Sequence, residues 1–221
     1  MSVRLAVLVS GGGTNLQAIL DAVAGARLAA EIALVVSSRP GVEALERARA
    51  AGIETLVVES RRFGSREAHD AELVRHFEER RVELIVLAGY MRIVTPVLLT
   101  AFRDRVVNIH PSLLPAFPGL DAQRQALEAG VAIAGCTVHL VDAGTDTGPI
   151  IAQAAVPVLA DDNVASLRAR ILAEEHRILP AVLQWFADGI VQVVEGDGGA
   201  RRVRVSGDGR MRCFAAAREG A

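Results

Sequence analysis

The sequence contains few cysteines and no concentration of charge of one sign. Its two cysteines, Cys136 and Cys213, are too few for a disulfide framework, so free thiols in a reducing compartment are expected. The arginines are scattered among acidic residues, and the formal net charge is −2 over 221 residues. The chain therefore lacks the basic stripe of a nucleic-acid-binding protein, and no nucleic-acid partner is predicted.

Long apolar runs are also missing, although hydrophobic residues make up 51% of the sequence. That share is ordinary for a soluble globular protein. No apolar run reaches the roughly 20 residues that a membrane-spanning helix needs. The first four residues are followed at once by a strand pattern and do not resemble a signal peptide. We therefore expect no membrane association and a cytoplasmic location.

The chain has no lysine, which restricts how its glycine-rich loop can be interpreted. Residues 10–15, Ser-Gly-Gly-Gly-Thr-Asn, lie between a strand pattern and a helix pattern, where main-chain N–H groups can bind an anion. Without the lysine of a P-loop, a nucleoside triphosphate site is disfavoured. The dinucleotide fingerprint is incomplete too, because Leu16 replaces its third glycine and no acid ends the second strand. The loop predicts a phosphate monoester site, with a tight structural turn as the alternative.

Strand and helix patterns alternate along the first half of the chain. The strand patterns cover residues 3–9, 32–36, 55–58, 84–88 and 106–109. The helix patterns cover residues 16–26, 42–51, 65–80, with Ser65 as a cap, and 95–102. Such alternation is typical of βαβ units, so the predicted fold class is α/β, with a single doubly wound, mostly parallel sheet and helices on both faces.

The second half is less regular. A short helix is predicted over residues 124–129, a strand pair over 135–141 and 150–158, and a long helix over 164–186 that Pro180 should kink or split. We assign residues 1–194 to one domain. Residues 195–221 form a C-terminal tail rich in glycine and arginine. This tail is predicted to bury little, and to form a short hairpin of residues 201–205 and 211–214 or to be weakly ordered.

The clearest candidate site lies at the end of the fifth strand pattern. The segment that follows contains three prolines, Pro111, Pro115 and Pro118, so no regular element can continue through it. Asn108 and His110 stand where the strand passes into this rigid loop. Because residues two apart on a strand point to the same side, the amide and the imidazole can face one volume. Reactive groups of α/β enzymes are presented in this way. An Asn and a His that only satisfy turn backbone are the alternative.

A second polar group lies between residues 135 and 149. His139 alternates with apolar residues, which favours a strand histidine with satisfied hydrogen bonds, and the acids of the following loop are turn residues by default. A catalytic His110 would, however, need a carboxylate to hold its tautomer and stabilise its charged form. Asp146 is the best placed candidate. No metal is predicted, because the remaining histidines lie in helix patterns without a metal-ligand spacing.

Five segments carry a resemblance to a known family, in that family's order and spacing. They are Ser-Gly-Gly-Gly-Thr-Asn-Leu-Gln (10–17), Ser-Arg-Glu-Ala (65–68), Leu-Ala-Gly-Tyr-Met-Arg-Ile-Val (87–94), Asn-Ile-His-Pro-Ser-Leu-Leu-Pro (108–115) and Asp-Thr-Gly-Pro-Ile (146–150). The chain thereby resembles the phosphoribosylglycinamide formyltransferases, which are folate-dependent enzymes of purine synthesis. The fourth segment is shared by other formyl-folate enzymes and indicates the chemistry. The glycine loop and the short length indicate the substrate.

The resemblance implies a Rossmann-like formyltransferase fold and a role for each matching residue. Gly13, Thr14 and Asn15 would hold the phosphate of glycinamide ribonucleotide, and Glu175 would contact that substrate near its amine. The residues implied to contact 10-formyltetrahydrofolate, the co-substrate, are Arg66, Met91, Arg92, Ile93, Val94 and Asn108. Small-molecule substrates are the only partners implied, and the chain would act as a monomer or homodimer.

The reaction implied by the family is formyl transfer from N10 of the folate to the amine of the ribonucleotide. Negative charge would build on the formyl oxygen, to which Asn108 and protonated His110 could donate hydrogen bonds. Such a donor contributes roughly 3–4 kcal/mol to the stability of a transition state. His110 would be the catalytic acid, and Asp146 would raise the pKa of its ring. The resemblance requires no covalent enzyme intermediate and no metal.

One segment departs from the family pattern. Bacterial relatives carry a histidine-containing run between Pro118-Gly119 and the Arg-Gln-Ala-Leu helix, where this chain has Asp121-Ala122-Gln123. The replacement is expected to bear on folate affinity or loop geometry, and not on the catalytic residues.

Other functions stay open. A formyltetrahydrofolate hydrolase or a sugar-nucleotide formyltransferase is the nearest alternative, although the hydrolase would carry an N-terminal regulatory domain. A methionyl-tRNA formyltransferase would carry a further nucleic-acid-binding domain and a basic surface, which this sequence does not predict. Outside the family, the incomplete fingerprint weighs against an NADP-binding oxidoreductase. The intact set of Asn108, His110 and Asp146 weighs against an inactive folate-binding module.

Overall fold

A central sheet of eight strands organises the computed structural model, which describes residues 2–196, 199, 201–207 and 213–214. The strands of this sheet are β1 (Val3–Val9), β2 (Ala30–Ser37), β3 (Thr55–Val57), β4 (Leu84–Leu87), β5 (Val106–His110), β6 (Ile133–Leu140), β7 (Ile150–Pro157) and β10 (Cys213–Phe214). Strands β8 (Val191–Glu195) and β9 (Arg201–Val205) form a separate two-stranded sheet. The helices are α1 (Thr14–Ala24), α2 (Glu43–Ala50), α3 (Arg66–Glu79), α4 (Pro96–Ala101), α5 (Ala122–Glu128) and α6 (Val164–Ala187), with a 3-10 turn at Ser60–Arg62.

The sheet is parallel through its centre and antiparallel at one side. Its order is β10-β7-β6-β5-β4-β1-β2-β3, in which all neighbours from β5 to β3 are parallel. Strand β6 runs antiparallel to both β5 and β7. The mostly parallel α/β sheet expected from the alternation is confirmed. Strands β6 and β7 extend the sheet beyond β5. They are joined by residues 141–149 without a helix, because antiparallel neighbours need no crossover helix.

The strand register lines up the ends of four neighbouring strands. Leu8 of β1 pairs with Leu87 of β4, which pairs with Asn108 of β5. Asn108 in turn pairs with His139 of β6. Since the carboxyl ends of parallel strands meet at one edge, the glycine loop, the segment after β4 and the loop after β5 all leave the sheet at the same edge. This is where ligands bind in open α/β sheets.

Two hydrophobic cores lie on opposite faces of the sheet, because strand side chains alternate in direction. On β1, Leu5, Val7 and Val9 belong to one core, and Ala6 and Leu8 belong to the other. Helices α1, α2, α5 and α6 cover the first face. Helices α3 and α4 cover the second. The predicted helices on both faces are therefore confirmed.

Two helices follow from capping residues in the sequence. Ser65 caps α3 as predicted, since its Oγ accepts a hydrogen bond of 3.0 Å from the N–H of Ala68. Asn163 and Ser166 form a capping box at the start of α6. Helix α6 runs as one element through Pro180, so of the two predicted effects of Pro180 the splitting is wrong, and the kink stays a prediction. No helix among the described residues is long and apolar enough to cross a membrane.

The strands of the tail pair differently from the predicted hairpin. Strand β9 pairs antiparallel with β8, and β10 joins the main sheet parallel to β7. The predicted pairing of residues 201–205 with 211–214 is therefore wrong, and 211–212 lie outside the described residues. Among the described residues of the tail only Val203 is buried, with 4% exposure, so the expectation of little burial is confirmed for that part of the tail. The ring of Phe214 lies 5.9 Å from that of Trp185. The boundary at residue 194 stays a prediction.

Candidate active site

The site forms around a buried histidine and a carboxylate. His110 is the last residue of β5, and Asp146 lies in the connection between β6 and β7. Nδ1 of His110 lies 3.2 Å from Oδ2 of Asp146, and the two side chains are 5% and 14% exposed. Nε2 of His110 donates a hydrogen bond of 2.9 Å to the carbonyl oxygen of Phe117. The structure thus brings together the two residues that the sequence had suggested as a pair.

Burial has the largest influence on the pKa of His110. Removal from water lowers the pKa of the ring, whereas the Phe117 carbonyl and the Asp146 carboxylate raise it. Burial is the larger effect, so the pKa of His110 lies below its ordinary value. The expected influence of Asp146 has the right direction, but the expected net result, a ring with a raised pKa, is wrong. The carboxylate of Asp146 therefore offsets part of the effect of burial on the pKa of His110.

Burial alone would raise the pKa of Asp146, but its contacts lower it below the ordinary value. The contacts that oppose the burial include the N–H of Gly119 and the ring of His110. The N–H of Gly119 donates to Oδ2 at 2.8 Å. The backbone of Asp146 has a φ of 55°, in the left-handed region that Asp tolerates better than most residues. The carboxylate is therefore ionised and held in a fixed direction.

His139 fixes the amide of Asn108. Nδ1 of His139 lies 2.9 Å from the carbonyl oxygen of Leu140, which only accepts, so this nitrogen carries the hydrogen. Nε2 then accepts a hydrogen bond of 3.0 Å from Nδ2 of Asn108. The same Nδ2 donates a long bond of 3.5 Å to Oδ1 of Asp146. His139 is hence part of the site, and not only a satisfied strand histidine.

The loop after His110 is braced by buried polar groups. The hydroxyl of Thr137 donates to the carbonyl of Ser112 at 2.7 Å and accepts from the N–H of Leu114 at 3.0 Å. The side-chain amide of Gln153 donates to the carbonyl of Leu114 at 2.9 Å. These contacts, together with the prolines, hold the segment that brings the Phe117 carbonyl to His110.

The glycine loop has one position at which only glycine fits. Gly13 has a φ of 72°, and a Cβ on it would lie 2.5 Å from the Cβ of Ala44 on α2. Gly11 and Gly12 have no such constraint. Gly13 precedes the exposed Thr14, the first residue of α1. The main-chain N–H groups of the loop therefore lie next to a helix N-terminus, where an anion is favoured. The need for Gly13 is thus partly structural.

Asn15 and Glu175 form a buried polar pair beside this loop. Nδ2 of Asn15 donates to Oε2 of Glu175 at 2.7 Å, and both residues are buried. Burial raises the pKa of Glu175, although Asn15 and Arg168 act in the opposite direction. Oδ1 of Asn15 is buried and has no partner among the described residues. An unpartnered buried oxygen of this kind is costly unless a ligand supplies a donor.

The segment after β4 lies at the same edge of the sheet. Met91 and Ile93 are exposed large hydrophobic residues, whereas Val94 is buried. Arg92 donates to the hydroxyl of Ser60 at 2.6 Å. Arg66 is exposed at the first position of α3 and forms no ion pair with any described residue. The structure does not bring Arg66 into contact with the His110 cluster.

Sequence reasoning missed two residues that the structure places at this edge. His139 had been interpreted as structural, and only the pairing of β6 with β5 puts it opposite Asn108. Ser10 accepts a hydrogen bond of 3.1 Å from the N–H of Met91 and so joins two loops. No sequence pattern reveals the neighbours of β4 and β5 in the sheet. Among the described residues, no group of His, Cys, Asp and Glu could hold a metal ion.

The likeness to known proteins agrees with this geometry. The profile of the formyl transferase family matches residues 3–183. The chain belongs to the formyl transferase family. The chain is similar to the phosphoribosylglycinamide formyltransferase of Escherichia coli, with 44% identity over 192 residues, covering 87% of this chain and 91% of that protein. The trifunctional purine biosynthetic protein adenosine-3 of Drosophila melanogaster is 52% identical over 188 residues.

The extent of these matches differs. The chain spans 14% of the length of the Drosophila melanogaster protein, and the match covers 84% of the chain itself. Among solved structures, glycinamide ribonucleotide transformylase 1 from Symbiobacterium toebii has a TM-score of 0.88 and 54% identity. That match covers 92% of this chain and 94% of the other. The formyl transferase family membership and the α/β fold therefore rest on sequence and structure together.

Proposed function

We propose that this protein transfers a formyl group from 10-formyltetrahydrofolate to the amine of glycinamide ribonucleotide, a step of purine biosynthesis. The observation that carries the proposal is the cluster of Asn108, His110 and Asp146 at the sheet edge. The carboxylate of Asp146 lies 3.5 Å from Nδ2 of Asn108 and 3.2 Å from Nδ1 of His110. We place the reaction in the cytoplasm, with the two small molecules as partners. The choice between monomer and homodimer stays a prediction.

The residues at the edge fit both substrates. For the ribonucleotide, the glycine loop offers main-chain N–H groups to a phosphate, and the buried Oδ1 of Asn15 offers an acceptor to a substrate N–H or O–H. For the folate, the exposed side chains of Met91 and Ile93 offer an apolar surface beside main-chain groups of residues 92–94, which form no hydrogen bond with any described residue. Gly13, Thr14, Asn15 and Glu175 form the proposed ribonucleotide side. Arg66, residues 91–94 and Asn108 form the proposed folate side.

The folate co-substrate supplies the formyl group, and the chain supplies hydrogen-bond donors and their orientation. His110 has to release the Phe117 carbonyl before its Nε2 hydrogen can turn toward a substrate oxygen. Asn108 has one short bond, to His139, and one long bond, to Asp146. The long bond is the weaker one, so this amide hydrogen is the one that can be redirected to a substrate oxygen. Asp146 keeps Nδ1 of His110 protonated while Nε2 donates.

A direct assay tests the proposal. The purified chain is incubated with glycinamide ribonucleotide and 10-formyltetrahydrofolate, and formation of the folate product is followed spectrophotometrically. We expect turnover that depends on both substrates. Turnover of the folate without the ribonucleotide would indicate a hydrolase, and turnover only with a sugar nucleotide would indicate that alternative. Either result would contradict the proposal.

A further inference from the structure

Side chains hold the segment between Tyr90 and Pro96 at both of its ends. At the first end, the N–H of Met91 donates to Oγ of Ser10 at 3.1 Å. At the other end, the N–H of Thr95 donates to Oδ2 of Asp70 at 2.6 Å. Both acceptors are buried, with exposures of 8% for Ser10 and 3% for Asp70. Buried acceptors of this kind fix a main-chain position more strongly than exposed ones, because water does not compete for the donor.

The middle of the segment has the opposite character. The main-chain groups of Arg92, Ile93 and Val94 form no hydrogen bond with any residue that the structure describes. Met91 is 64% exposed and Ile93 is 57% exposed, while Val94 is 5% exposed and anchors the chain between them and α4. Free main-chain donors and acceptors next to apolar side chains match a flat heterocycle with a polar edge. A pteridine ring is such a group.

Asp70 is oriented by a second buried contact. Its Oδ1 lies 3.1 Å from Nδ1 of His69, whose Nε2 lies 3.1 Å from the carbonyl of Val58. The ring of Phe63 packs edge-on against His69 at 5.4 Å. His69 and Asp70 lie on α3, one turn after Arg66. Asp70 therefore connects the end of β3, the start of α3 and the segment after β4.

Ser10 connects the same segment to the glycine loop. It directly follows β1 and precedes Gly11, so its hydroxyl belongs to the turn that leads to α1. Its Oγ also lies 3.3 Å from Oγ of Ser38, which follows β2. The two acceptors thus tie the free main chain of residues 92–94 to three different strand ends.

From these contacts we propose that Ser10 and Asp70 are positioning residues that hold residues 91–95 as a preformed main-chain edge for the folate ring. The inference rests on the proposed function and extends it from contact residues to the residues that place them. A preformed edge reduces the entropy that would be lost on ordering the segment at binding. Loss of either acceptor should therefore weaken folate more than ribonucleotide.

Binding of tetrahydrofolate and of glycinamide ribonucleotide, each measured by calorimetry, tests the proposal with three variants. Asp70→Ala removes the acceptor for Thr95, and Ser10→Ala removes the acceptor for Met91. Each should raise the Kd for tetrahydrofolate about ten-fold, on the scale of one lost buried hydrogen-bond partner. In Asp70→Ala, the Kd for the ribonucleotide should change less than about two-fold. In Ser10→Ala, the Kd for the ribonucleotide should change by a smaller factor than the Kd for tetrahydrofolate.

Asp70→Asn is the conservative variant. Its amide oxygen can accept from Thr95 while its NH2 group donates to Nδ1 of a neutral His69. It should restore most of the folate affinity that Asp70→Ala loses. Asn163→Ala, which removes the cap of α6 far from this edge, is the matched control for general destabilisation and should leave both Kd values unchanged.

The outcomes separate this inference from the proposed function. If the wild-type chain binds ribonucleotide and no tetrahydrofolate, both proposals fail. If it binds both and the variants bind folate normally, or lose both ligands equally, only the positioning role fails. The positioning role also fails if Asp70→Asn binds tetrahydrofolate as weakly as Asp70→Ala. It fails too if Asn163→Ala raises the Kd for tetrahydrofolate as much as Asp70→Ala and Ser10→Ala do. If circular dichroism shows Asp70→Ala unfolded, Ser10→Ala decides.

Discussion

At the scale of single residues, the site depends on side chains far apart in the sequence, because Asn108 contacts His139 and His110 contacts Asp146. The spacing of Asn108 and His110 correctly indicates that both side chains face one volume, since both contact Asp146. Their environment depends on residues far away in the chain. His139 enters through the pairing of β6 with β5. The lowered pKa of His110 comes from burial under a loop whose position no local pattern reveals. The sequence therefore predicted which residues form the site, but not the contacts that residues distant in the chain make with them.

The glycine loop gives a prediction at this scale. Gly13→Ala places a Cβ against Ala44 at a positive φ, so it should lower the melting temperature of the protein. Gly12→Ala has room for its Cβ, whose nearest neighbour is Oε2 of Glu43 at 3.6 Å. It should fold normally and raise KM for the ribonucleotide without changing KM for the folate, because the methyl group hinders approach of the phosphate. Steady-state kinetics together with thermal unfolding distinguish the two variants. Equal weakening of both substrates by Gly12→Ala would mean that the loop is only a turn.

At the scale of elements, local patterns located most helices and strands, but not their partners. The predicted bounds of α2 and β4 differ from the observed ones by about one residue at an end. Helix α1 begins at Thr14 and not at Leu16, because the polar first turn carries no apolar periodicity. The tail strands predicted at 201–205 and 211–214 are observed at 201–205 and 213–214, but they had been assigned to each other as a hairpin. Pairing depends on which edge is open, and the sequence does not show that.

The cap of α6 gives a prediction at the scale of an element. Oδ1 of Asn163 accepts from the N–H of Ala165 at 2.8 Å and from that of Ser166 at 3.1 Å. Asn163→Ala leaves these donors without the side-chain acceptor, so it should reduce the free energy of unfolding by about 1 kcal/mol. Chemical denaturation measures the change. Asn163→Ser, which keeps a capping oxygen, should lose less. An unchanged stability of Asn163→Ala would show that water replaces the cap at no cost.

At the scale of the whole molecule, the proposed site residues lie at one edge of the central sheet. The ends of β1, β4, β5 and β6 meet in one row, through Leu8, Leu87, Asn108 and His139. Alternation of strands and helices was enough to predict such an edge, because parallel strands end together. It was not enough to predict that β6 runs antiparallel to β5, or that β10 joins the sheet beside β7.

The tail gives a prediction at this scale. A chain that ends at Val194 loses β9 and the burial of Val203, which contributes roughly 1.5–3 kcal/mol. Its melting temperature should fall by about 2–4 °C for each kcal/mol lost. Its kcat should stay near that of the full chain, because no described residue of β9 or β10 hydrogen-bonds to the proposed site. A chain that ends at Gly207 keeps β9 and should have an intermediate melting temperature. A ten-fold loss of kcat in the shorter chain would show that the tail supports catalysis.

The pH dependence of kcat in Asp146→Asn tests the proposed mechanism most directly. In the proposed mechanism His110 acts in its protonated form, so activity should fall as pH rises through the pKa of the ring. Burial already lowers this pKa, and Asp146 opposes the lowering. Removing the carboxylate charge should therefore move the alkaline limb further toward acid and reduce kcat at neutral pH by about 100-fold, the scale of general acid catalysis.

Asp142→Asn is the matched control. It removes a charge from the same loop but keeps the oxygen that accepts from Thr147, and it has no contact with His110. Its pH profile should coincide with that of the wild type. The double variant of His110→Asn with Asp146→Asn should be hardly worse than the poorer single variant, because the two residues act as one unit. An Asp146→Asn enzyme with near-normal kcat and an unmoved alkaline limb would contradict the account.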